Sequence, residues 1–144
     1  MGFVYTDLIG KPYLLHGRFP EGLDCSTICE EVLTRLGLAP PPTSPFRYAG
    51  NHATLAEFEG YMDQARESVE LVGQLPDSAT RPGDFVLTSA GGCSVARGMF
   101  VLVDRDLFLT SFPRSGVTPV TRQALARLKP SIIGVYRCVR EAPC

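Results

Sequence analysis

The chemistry-bearing stretch of this chain is Gly22-Leu23-Asp24-Cys25-Ser26-Thr27-Ile28-Cys29, in which an acid, a thiol and a hydroxyl follow one another. The residues after it repeat at helical spacing, so the trio stands where a turn becomes a helix. The positive end of a helix dipole favours a thiolate at such a position, and the thiolate is the nucleophilic form. Cys25 is therefore the candidate nucleophile, for hydrolysis or acyl transfer. Such a thiol needs a base within hydrogen-bond reach and a third polar group to orient that base. The chain has two histidines, His16 and His52, and these are the candidate bases. His16 precedes the thiol in an irregular approach segment, whereas His52 lies well beyond the helix.

Several elements must position these groups. Residues 3 to 9 form a short apolar segment compatible with a helical turn. Residues 10 to 22 are an irregular approach, punctuated by Pro12, Gly17, Pro20 and Gly22. Asp24 can cap a helix over 25–36, because Ile28, Cys29, Val32, Leu33 and Leu36 make one apolar face and Gly37 supplies a stop. The prolines between Ala39 and Pro45 predict an extended linker. Thr54 to Glu57 reads as a capping box, and Leu55, Phe58, Met62, Ala65, Val69 and Val72 predict a second amphipathic helix over 54–72 ending at Gly73.

The remainder changes period. Short runs at 84–88, 99–103, 107–112 and 131–139, rich in branched and aromatic residues, predict four strands. Asp104-Arg105-Asp106 is short enough to be a hairpin turn. A short helix is expected within 119–128, opened by Thr121. Helices first and strands after predict a single α+β domain over 1–144, with N-terminal helices packed on an antiparallel sheet of about four or more strands.

Composition narrows the function classes. The chain has 144 residues, 44% of them hydrophobic, enough for one ordinary core. Its 14 basic and 15 acidic residues are spread without blocks, which argues against nucleic-acid and membrane partners. The N-terminal residues lack the basic start and long apolar run of a signal peptide, so the sequence as written predicts a cytoplasmic location unless a leaderless route exports it. Five cysteines, Cys25, Cys29, Cys93, Cys138 and Cys144, are odd in number and irregular in spacing. That is neither a disulfide framework nor a zinc site, and no metal or cofactor is expected. The thiols other than Cys25 read as small buried hydrophobes.

The run from Gly10, Pro12 and Tyr13 through Gly17, Pro20 and Gly22 to Asp24-Cys25-Ser26 resembles the start of the NlpC-type cell-wall cysteine peptidases, which are compact papain-like domains. Their signature reads roughly Gly-x-Pro-Tyr, a glycine pair, Pro-x-Gly, then Asp-Cys-Ser on a helix. Further on, Arg81-Pro82-Gly83-Asp84 with its strand, Gly98 to Val103, and Pro113 to Val117 look like the family's Pro-Gly-Asp strand, its histidine-bearing strand and the strand after it. The resemblance implies that Tyr13 neighbours the nucleophile and that Asp24 and Ser26 line a pocket for cell-wall peptide. At the family's catalytic histidine, two positions before the strand glycine, this sequence has Ala96. The family's orienting polar residue falls at or near Thr110. Strand alternation would put Ser94, Ala96 and Gly98 on one face, with Arg97 turned away, and the resemblance implies that this is the face that looks at the nucleophile.

Two functions from different classes follow. In the first, the chain is a catalytically degenerate relative, a binding or assembly module for cell-wall peptide or a protein partner. In the second, it is a working cysteine amidase or endopeptidase, with Cys25 as nucleophile and a base recruited from His16, His52 or a partner. Loss of the base costs several orders of magnitude in rate while leaving the fold intact, which favours the first.

Overall fold

The computed structural model describes residues 3–15, 17–38, 53–54, 69–89, 95–128 and 132–139, with backbone only for 53–54, Ser89 and 95–97. His16, His52, Cys93, Ser94, Cys144 and the proline-rich stretch 39–45 lie outside the described residues, as do positions 55–68 of the expected second helix. The elements are a 3-10 turn at Thr6–Leu8, α1 (Cys25–Arg35), β1 (Ala53–Thr54), β2 (Val69–Gly73), a 3-10 turn at Pro76–Ser78, β3 (Phe85–Ser89), β4 (Val95–Asp104), β5 (Leu107–Phe112), β6 (Gly116–Thr121), α2 (Arg122–Ala126) and β7 (Ile132–Cys138). The strands form one antiparallel sheet in the order β2-β7-β3-β4-β5-β6, with β1 paired to the start of β4. This is an α+β architecture.

Helix α1 starts and stops where local chemistry requires. Asp24 accepts from the Ser26 and Thr27 amides, and the Thr27 hydroxyl accepts from the Asp24 amide, which completes a capping box. At the other end Gly37 adopts φ +78°, and the Gly37 and Leu38 amides donate to the Thr34 and Leu33 carbonyls. That is a Schellman closure, and it needs the left-handed conformation that glycine tolerates. Between the ends, Ile28, Val32 and Leu33 are at most 1% exposed. Each such side chain contributes roughly 1.5–3 kcal/mol of burial.

The sheet divides its side chains between two apolar layers, as the period of a strand demands. Phe85, Leu87, Met99, Val101, Val103, Leu109, Tyr136 and Cys138 meet Cys25, Cys29, Val32 and Leu33 of α1. Val86, Phe100, Leu102, Phe108 and Val135 face the other way, where Leu125 of α2 and Ala79 cover them. The strands expected from sequence are β3, β4, β5 and β7, and the hairpin at Arg105 and Asp106 joins β4 to β5.

Two expectations are corrected. The predicted helix over 54–72 does not hold at its ends, since Thr54 belongs to β1 and Val69–Gly73 form β2, paired antiparallel with β7. Val69, Leu71 and Gly73 also fit a strand period, and the ladder to Cys138, Tyr136 and Val135 outweighs the helical reading of the same valines. The second correction concerns 119–128: residues 119–121 close β6, and only Arg122–Ala126 is helical, capped by the Thr121 hydroxyl. Pro119 is accommodated because β6 ends the sheet's strand order, where a missing donor is tolerated.

The N-terminal segment is tied to this frame at three places. Leu8 is fully buried in the α1 layer. Arg35 at the end of α1 donates to the Val4 carbonyl and to both Asp7 carboxylate oxygens. The Gly10 amide donates to the Val117 carbonyl and the Val117 amide to the Lys11 carbonyl, so the segment runs along the free edge of β6. A Cβ on Gly116, whose φ is +74°, would run into that Lys11 carbonyl.

Candidate functional site around Cys25

Cys25 is the first residue of α1, which packs against β4 and β5. The Met99 backbone amide is directed at its sulfur. The side chain is buried, and the thiol is pushed up from 9.0 to about 12. Burial is the first cause and the Asp24 carboxylate the second; the amides of Met99, Cys25 and Ser26 pull the other way. The expectation of a thiolate held by the helix start is therefore corrected. A helix terminus supplies at most about 2 kcal/mol in favour of the charged form, and burial outweighs it here. Desolvation wins, and the thiol is protonated at neutral pH.

The two residues flanking the thiol serve the helix. Asp24 is 0% exposed and its Oδ1 accepts from the Ser26 amide at 2.9 Å, the Ser26 hydroxyl at 2.8 Å and the Thr27 amide at 2.8 Å. Ser26 is 1% exposed. Both groups lie inside the fold.

The approach segment is bonded to the residues that lead into Cys25. Pro12 and Leu14 bracket Tyr13, and both pair with Leu23, two residues before the thiol: the Leu23 amide donates to the Pro12 carbonyl and the Leu14 amide to the Leu23 carbonyl. A Cβ on Gly22 would stand 2.8 Å from that Pro12 carbonyl, so this close approach requires glycine. Tyr13 is thereby fixed, half-buried, alongside the residues that lead into Cys25. Leu14 and Leu15 follow it and are exposed.

On the opposing strands the register departs from simple alternation. Thr88 pairs with Gly98 but Ser89 pairs with Ala96, so Arg97 is an extra residue in β4. The backbone register counted back from Gly98 therefore shifts by one residue at this bulge. Ala96, also paired with Ala53, lies three residues before the Met99 amide that faces Cys25. In β5, Phe108 belongs to the layer away from α1 and Leu109 to the layer beneath it. Thr110 therefore points away from α1, and its hydroxyl donates to the Met99 carbonyl at 2.8 Å. Ser111, one residue on, is the β5 hydroxyl on the α1 side; it donates to the Leu23 carbonyl at 2.7 Å. Sequence counting pointed to the neighbourhood of Thr110 and missed Ser111, although the period-2 pattern of Leu107 to Phe112 carried the distinction.

Other groups singled out by sequence have structural roles. Asp84 of the Pro-Gly-Asp run is 1% exposed; it accepts from the Thr80 and Arg81 amides and receives a two-pronged pair from Arg137 of β7. Cys29 and Cys138 are buried in the layer under α1, and burial pushes the Cys29 thiol well up. Among the described residues, no three metal-ligating side chains cluster so as to hold an ion, and no helix is long and apolar enough to cross a membrane.

No protein-family model matches the sequence, and no curated protein does. Among solved structures, the chain is similar to the crystal structure of a protein "similar to lipoprotein, NLP/P60 family" from Staphylococcus aureus subsp. aureus Mu50. The TM-score is 0.52 at 17% sequence identity, over 93% of this chain and 38% of that one. This likeness is one of fold. The chain spans less than two-fifths of the length of that structure.

Proposed function

We propose that this chain is a catalytically degenerate NlpC-type domain that binds cell-wall peptide or a protein partner at the Cys25 site without cleaving it. One observation carries the reading: the thiol in the nucleophile's place is buried in the apolar layer between α1 and the sheet, and that burial works against the thiolate needed for attack. The sequence resemblance, which aligns Ala96 with the family's histidine, points the same way. The approach segment around Tyr13 supplies the recognising wall, with Asp24 and Ser26 holding the helix end. Fold likeness alone does not choose between binding and catalysis, so the argument rests on the site.

One observation favours the alternative, a cysteine amidase or endopeptidase with a base recruited from His16, His52 or a partner. The amides of Met99, Cys25 and Ser26 converge on the sulfur and favour its charged form, as donors around a reacting centre would. The two readings separate in one experiment. Wild-type and Cys25→Ala proteins are incubated with soluble cell-wall peptides, with binding followed by calorimetry and cleavage by mass spectrometry. The binding reading expects comparable affinity from both proteins and cleavage by neither. Cleavage by the wild type that Cys25→Ala abolishes would establish the hydrolase instead.

A further inference from the structure

We draw no further inference here: the strongest candidate, the open recess on the sheet face away from α1 between the Pro76–Ser78 turn, the Arg105–Asp106 turn and the start of α2, is an acidic pair, Asp77 and Asp106, around an Arg122 guanidinium already bonded to Asp106 and to the Pro76, Ala79 and Arg105 carbonyls, and nothing in the structure points to a ligand for it.

Discussion

Alkylation of Cys25 in the native protein tests the central argument directly. Iodoacetamide reacts with the thiolate, so its rate follows the ionised fraction. With the thiol raised from 9.0 to about 12, that fraction at pH 8 falls from about one in ten to about one in ten thousand, a loss of roughly a thousandfold. Burial adds a barrier to the reagent, so the observed rate should fall further, toward the rate of local opening. The assay follows the Cys25 peptide by mass spectrometry between pH 7 and 10.5, with circular dichroism confirming that the fold persists. In parallel, Asp24→Asn removes the second cause of the shift while leaving a capping side chain. Its Cys25 peptide should react faster than wild type at every pH, though still more slowly than a free thiol, because burial remains. Rapid native-state alkylation of wild type with a midpoint at or below about 8.5 would refute the reasoning. It would mean that the helix terminus or a histidine holds the sulfur as thiolate, and the hydrolase reading would take over.

The same shift makes stability depend on pH. Because the folded-state value lies above the unfolded one, the native chain holds its proton while the unfolded chain loses it; the contribution is whole below about pH 9 and is lost as pH rises toward 12. Urea titrations should show wild type losing about 1.4 kcal/mol more per pH unit than Cys25→Ala over that window, and parallel curves would contradict it. Arg137→Met strips the two-pronged partner from the buried Asp84 carboxylate, so it should cost about 3–5 kcal/mol in the same titration; a loss under 1 kcal/mol would show the pair to be dispensable. Gly116→Ala places a side chain at φ +74° and against the Lys11 carbonyl, which should destabilise by more than about 1–2 kcal/mol. In that variant the Gly10 and Val117 amides should also exchange faster with solvent, and unchanged exchange would mean that the approach segment does not depend on the close contact.

Much of the fold could be read from local signals. The apolar spacing from Ile28 to Leu36, the Asp24 cap and the Gly37 stop are encoded within a dozen residues, and α1 forms where they place it. Four β-branched and aromatic runs located β3, β4, β5 and β7, and Asp104-Arg105-Asp106 located the hairpin. What the sequence could not decide was set by long-range pairing. Val69 to Gly73 satisfy two periods, and only β7 beside them selects the strand. One extra residue at Arg97 shifts the register of β4, and the pairing with β3 that reveals it joins residues far apart in order. At the site, the residue types around Cys25 were legible, but its ionisation was not. A helix terminus announces itself locally, whereas desolvation depends on the apolar layer that α1 and the sheet assemble around Cys25. That burial, together with the Asp24 charge folded in beside it, is what the tertiary structure alone supplied.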